Sequence, residues 1–220
     1  MDLLSQLAAL TAPIMQRDNV PNSINEELLS ALITCCVALC ESHTNTLVKA
    51  VEGVEGFQDK TEGARQMIEL LLAAQAAPGY YPLHETRSNL VFGFWYMLQD
   101  EVLFMMESNN SMNPIWKEVF TRLLDTLISK SEAPEDHTLT KDDLELLRCY
   151  RQDIADTVMY CFGVLGEWCW SRVEARLSSA SEASREAALH VFLALADAAP
   201  AQRAPAGLLP LLQHAATLPP

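Results

Sequence analysis

Six cysteines and five histidines are the residues of this 220-residue chain best suited to nucleophilic or metal chemistry. A nucleophile needs a base within hydrogen-bond reach, and a zinc site needs Cys or His at short, regular spacing. Neither pattern is present. Cys35, Cys36, Cys40, Cys149, Cys161 and Cys169 form no C-x-x-C pair. All six fall in apolar, helix-like surroundings, so they read as reduced thiols serving as small core residues. His43, His84, His137, His190 and His214 are scattered over expected loops, helix ends and the tail. No G-x-S-x-G, H-E-x-x-H or phosphate-loop motif occurs. The expectation is a protein that is not an enzyme and that takes no cofactor and no metal.

Carboxylates are the other chemistry on offer. Asp and Glu total 29 against 15 Lys and Arg, a formal net charge of −14. Such a charge repels phosphates and argues against direct nucleic-acid binding. It favours basic protein partners. Asp142, Asp143 and Glu145 open an expected helix, and Asp100 and Glu101 follow an aromatic cluster. Asp142 and Asp143 would suit the positive end of that helix whatever else they do. The functional reading makes these five residues contacts for a Lys- or Arg-rich protein, with Glu132, Glu135 and Asp136 adding to the field. Charges so placed speed encounter and set specificity more than they add affinity. Asp153 and Asp156 read as locally paired with Arg148 and Arg151, and Arg151 is expected to anchor Asp100 or Asp153.

The elements that must position these groups are helices. Ile24, Leu28, Leu32, Cys35 and Leu39 step by 4, 4, 3 and 4, which is one helix face. Ser23 and Glu26 suit a capping box at its start. Leu90, Phe94, Leu98, Val102 and Met105 share another face, as do Leu147, Ile154, Val158, Cys161, Leu165 and Trp168. No run of β-branched residues alternates with polar ones between turn pairs. The chain reads as all-α, with helices near 2–16, 23–42, 44–53, 60–77, 86–107, 113–131, 140–178, 182–199 and 204–217. Asp18 to Pro21, Ala77-Pro78-Gly79, the asparagines before Pro114, and Ala133 to His137 break it. Pro114 suits a first helical turn and Thr140 an N-cap.

The helices are expected in pairs that start near 2, 44, 86, 140 and 182, although the unit at 140 reads as one long helix. This spacing fits an α-α superhelix of the HEAT or armadillo type, about four to five helical pairs in a single segment over 1–220. A compact bundle shares the same pattern. The stretch from Phe92 to Tyr96 crowds Phe92, Phe94, Trp95 and Tyr96 onto one helix, and so wide an apolar surface calls for more than one neighbour. Gly93 stands alone, so the cluster is no cofactor box. Gln99, Asp100 and Glu101 fall on the polar side. The Ala/Pro-rich tail, 198–220, carries Leu208, Leu209, Leu211 and Leu212, which could cover the end of a helical stack.

The start of the chain lacks the basic n-region of a secretory signal, and the longest apolar stretch, 28–40, is too short and polar for a membrane span. No membrane association is expected.

Two segments carry a resemblance. Tyr81-Pro82-Leu83-His84-Glu85-Thr86-Arg87-Ser88-Asn89-Leu90, running into Phe94-Trp95-Tyr96-Met97-Leu98-Gln99-Asp100-Glu101-Val102, is similar to a Y-P-x-x-E-T-x-S-x-L … F-W-Y-x-L-Q-D pattern. Tyr150-Arg151-Gln152-Asp153-Ile154-Ala155-Asp156-Thr157-Val158-Met159-Tyr160 is similar to Y-R-x-D-I-S-D-T-L-M-Y. Both patterns belong to the importin-13 and transportin-SR branch of the importin-β family. The match is dense over 36–165, loose before it and poor beyond about Ser171. The resemblance implies a central slice of a HEAT-repeat receptor that carries protein cargo between cytoplasm and nucleus under the GTPase Ran. It also implies nucleoporin and Ran partners for the full-length receptor, with little of the Ran-binding surface represented here. The five carboxylates then become candidate cargo contacts. The competing reading is a helical-repeat scaffold with no role in transport.

Overall fold

A computed structural model of the chain describes residues 6, 23–134, 139–179, 181–199 and 208–217. The expected helix over 2–16, the break at 18–21, residues 135–138 and most of the proline-rich tail lie outside the described residues, as does the Ser23 side chain and with it the expected cap. Among the described residues there are α-helices and short 3-10 turns, and no strand. They form two units, one of residues 23–77 and 86–113, the other of 78–85 and 114–217.

In the first unit, α1 (Ser23–Ser42) meets α2 (Thr44–Val51) at an 83° bend across His43. A 3-10 turn (Gln58–Lys60) leads into α3 (Thr61–Gln75). A second 3-10 turn (Arg87–Val91) leads into α4 (Phe92–Asn109). The bounds of α1 coincide with those expected, but its buried face does not. Leu29, Ile33, Cys36 and Cys40 are buried, while Leu28 is 50% exposed and Cys35 is exposed. The expected stripe is therefore one residue out of phase. Both stripes step by three and four, so apolar spacing alone does not choose between them.

Helix α4 buries Phe94, Trp95, Leu98, Val102 and Met105 against α1 and α2, the two neighbours its aromatic width calls for. Each buried large side chain contributes roughly 1.5–3 kcal/mol. Gln99 is buried too, contrary to its expected place on the polar side. Gln75, fully buried at the end of α3, accepts from the Trp95 indole at 2.9 Å and donates to the Ser88 carbonyl at 3.2 Å. One amide thus satisfies a donor and an acceptor that would otherwise be costly to bury. The left-handed Asn110 (φ 50°) ends α4, a conformation asparagine tolerates.

In the second unit, α5 (Pro114–Lys130) does begin at its proline. The expected single helix over 140–178 is two. Gly166, at φ 58° and ψ −136°, ends α6 (Lys141–Leu165), and α7 (Trp168–Leu177) follows. Glycine adopts that backbone with least strain, which makes it the natural stopping point. Helices α5 and α8 (Glu182–Ala198) pack against α6, and α7 packs against α8. The core holds Trp116, Phe120, Leu124, Tyr150, Ile154, Val158 and Leu195. Ala187, Ala188 and Ala194 line the buried face of α8, where small side chains let the neighbouring helices approach. The short α9 (Leu208–Ala215) contacts α7 but leaves Leu209 and Leu212 exposed.

Candidate functional site

The first turn of α6 is built by a reciprocal cap. Thr140 Oγ1 accepts from the Asp143 amide at 3.2 Å, and the Asp143 carboxylate accepts from the Thr140 amide at 3.1 Å. This satisfies two end groups of the helix and places negative charge at its positive pole. Asp142 beside it is exposed. Glu145, one turn on, takes a two-pronged ion pair from Arg148, at 3.0 and 2.7 Å. Those hydrogen bonds, with the Arg148 charge, hold the Glu145 carboxyl below its ordinary range. Asp142, Asp143 and Glu145 therefore share one helix start, but two of the three have structural partners.

Asp100 and Glu101 lie on α4, in the first unit. Asp100 is exposed and accepts from Gln99 Nε2 at 3.1 Å. Glu101 is half-buried and accepts from Asn45 Nδ2 at 2.8 Å, tying α4 to α2.

Arg151 does not anchor Asp100 or Asp153. Its guanidinium reaches across to Glu186 on α8 at 2.6 Å. Arg148 likewise pairs with Glu145 and not with Asp153. Burial, followed by repulsion from Asp156, pushes the Asp153 carboxyl above its ordinary value. Asp156 accepts from Gln152 at 3.0 Å.

The thiols divide. Cys36, Cys40, Cys161 and Cys169 are buried, whereas Cys35 and Cys149 are exposed, so the expectation of six core cysteines holds for four. Burial pushes the Cys40 and Cys169 thiols up to about 12, far from a reactive thiolate. Among the described residues, no group of three or more His, Cys, Asp or Glu side chains is placed to hold a metal ion.

Several contacts were missed by sequence reasoning. Tyr81 stacks on Tyr150, ring centroids 4.3 Å apart and planes 18° apart. Both tyrosines open the motifs quoted above, so the openings of the two motifs meet in the second unit. Lys130 of α5 donates to the Gly79 carbonyl at 2.8 Å and pairs with the buried Glu85 carboxylate, clamping the 78–85 loop. Ser131 Oγ lies 2.8 Å from His190 Nδ1. Burial, followed by the nearby Arg151 charge, pulls the His190 imidazole down to about 4. Arg172 of α7 grips Asp125 of α5 with two hydrogen bonds, one of 2.9 Å. Lys117 sits 4.5 Å over the Trp168 ring at an open, shallow cleft. Of these arrangements, Ser131 with His190 sets a hydroxyl against a base, and that serine is fully buried. What the two units display is helix faces.

The chain's relatives point the same way. Residues 133–168, which contain α6, match the importin 13 repeat family. Human importin-13 is 32% identical over 154 residues, 68% of this chain. Chicken importin-13 is 34% identical over 134 residues, 59% of this chain. A solved structure of importin-13 in its cytosolic state aligns with 99% of this chain at a TM-score of 0.84 and 26% identity. The chain belongs to the importin-13 family. Its fold is the all-α HEAT-repeat solenoid of that family, as the helix spacing suggests. It spans 15% of the length of human importin-13 and 26% of the solved chain. Its relatives are importins, of the nuclear transport receptor family, and this chain carries a segment matching the importin 13 repeat.

Proposed function

We propose that this importin-13 family segment binds basic protein cargo as part of Ran-dependent transport between cytoplasm and nucleus. The observation that carries this reading is the alignment of nearly its whole length with an importin-13 structure. The −14 charge supplies the complementarity to Lys- and Arg-rich partners. Asp142, Asp143, Glu145, Asp100 and Glu101 are the proposed cargo contacts. The exposed Asp142 and Asp100 meet a partner directly. Glu145 exchanges its Arg148 partner for a cargo cation. Asp143 and Glu101 act mainly through their field, since cap and amide bonds hold them in place. Ran and nucleoporins engage the longer receptor as a whole.

The test uses the chain alone and a chimera of human importin-13 carrying it in place of the matched segment. Both should retain Lys/Arg-rich nuclear proteins in a pull-down, and Ran-GTP should release them from the chimera. Asp142→Lys with Glu145→Lys should weaken retention and its salt sensitivity. Failure of both forms to retain any basic protein would sink the reading.

A further inference from the structure

The solvent side of α4 is not an ordinary polar helix face. Tyr96, Asp100 and Phe104 follow each other at four-residue spacing, with Met97 and Glu107 beside them on the same arc. Phe104 is 61% exposed, Tyr96 48% and Met97 39%. Leu28 is the only other large exposed hydrophobic side chain among the first unit's described residues, so this surface is concentrated on one helix. A surface helix usually gives its outward face to polar residues, and a contiguous exposed apolar stripe marks an interaction site. The stripe also carries acidic groups. Asp100 and Glu107 lie within it, and Glu41 of α1 stands against Gly93 at its start, where an added Cβ would come within 2.6 Å of the carboxylate. The chain has no Lys or Arg between Arg87 and Lys117, and Arg87 is buried beside Glu26.

We propose that the outward face of α4 is a docking site for a basic amphipathic helix of a protein partner. Leu-type side chains of that helix lie on Tyr96, Met97 and Phe104, and its Lys or Arg residues meet Asp100, Glu107 and Glu41. The inference rests on the reading that the chain binds basic proteins, and it names the face and the shape of the bound segment. Charge decides the occupant. A second copy of this chain would set Asp100 and Glu107 against their own counterparts with no cation between them. Side-by-side packing of two helix stripes supplies the geometry, with anchors at three- and four-residue spacing.

The probe is a fluorescein-labelled synthetic helix with Leu at alternating three- and four-residue spacing and Lys on its flanks. Two matched peptides replace Leu by Ser or Lys by Glu. Anisotropy is measured with the whole chain at low and moderate salt. The Leu/Lys peptide should bind, and both matched peptides should lose at least about tenfold in affinity. Phe104→Gln with Met97→Gln should cost about tenfold at either salt. Asp100→Asn with Glu107→Gln should cost a similar factor at low salt and flatten the salt dependence. These positions are exposed and Gln is a good helix former, so circular dichroism should be unchanged. If the peptide binds but the α4 variants bind it as well as the native chain, the α4 site is refuted while the cargo reading stands. The α4 site is refuted in the same way if basic proteins are retained in the pull-down but the peptide is not. Loss of all binding to basic proteins overturns both. Sedimentation showing a dimer that Phe104→Gln dissociates would assign the face to a second copy and overturn the proposal.

Discussion

Acidification should destabilise the second unit through one side chain, His190. In the fold its imidazole is packed beside Ser131 and near the Arg151 guanidinium, and its pKa falls from 6.5 to about 4. The unfolded chain therefore binds the proton more tightly than the folded one. Stability from the neutral ring is complete above about pH 6.5 and is lost as the pH falls toward 4. Full linkage would be about 3 kcal/mol below pH 4, and roughly 2 kcal/mol is already lost at pH 5. The ring is partly exposed, and water would reduce the loss at pH 5 to roughly 1–2 kcal/mol. The nearby Glu186 charge works the other way but does not cancel the burial. The assay is urea unfolding at pH 7.5 and pH 5.0, followed by tryptophan fluorescence, for the native chain and for His190→Asn. Asparagine can keep a hydrogen bond to Ser131 but does not titrate. The difference between the two pH profiles isolates His190 from the carboxylates, including Asp153, whose raised pKa favours the fold in acid. Equal losses in both proteins between these pH values would refute the argument.

Other perturbations have equally definite outcomes. Gln75→Leu should cost about 2–4 kcal/mol, because the buried Trp95 indole loses its acceptor; thermal unfolding by calorimetry reads it. Lys130→Met should cost about 3–5 kcal/mol by removing the ammonium that compensates the buried Glu85 carboxylate, visible as a lower urea midpoint. Gly166→Ala should cost about 1–3 kcal/mol through backbone strain alone, since no atom lies within 4 Å of the new methyl group. Gly93→Ala should instead stabilise α4 by about 0.5–1 kcal/mol, because helix propensity favours Ala and the flexible Glu41 carboxylate can swing aside.

The helices were legible in the sequence wherever apolar residues fell on one face only. Ile154, Val158 and Cys161 are buried as their spacing requires, and Thr140 and Pro114 mark helix starts through local chemistry. Helix α1 was harder because Leu28, Leu32 and Leu39 run parallel to Leu29, Ile33 and Cys40, and only the neighbours select a stripe. Gly166 was overlooked because apolar residues continue on both sides of it. The candidate carboxylates sit on the expected helices, but their partners depend on interhelix register. Arg151 chooses Glu186 because α8 brings it there, 35 residues away in sequence. Gln75 carries no local mark of burial; only the Trp95 indole beside it explains an amide in the core.

The membership of residues 78–85 has a practical consequence. This octapeptide belongs with the later half of the chain, yet α4 and its 3-10 turn follow it before that half resumes at Pro114. A recombinant product starting at Pro114 would strip Tyr150 of its stacked ring and leave Lys130 without Glu85. One starting at Pro78 would drag along α4 without the α1 and α2 surfaces it needs. Neither half can be excised by a single cut. An independent version of the later half calls for a redesigned splice, with the octapeptide joined to α5 through a short synthetic linker.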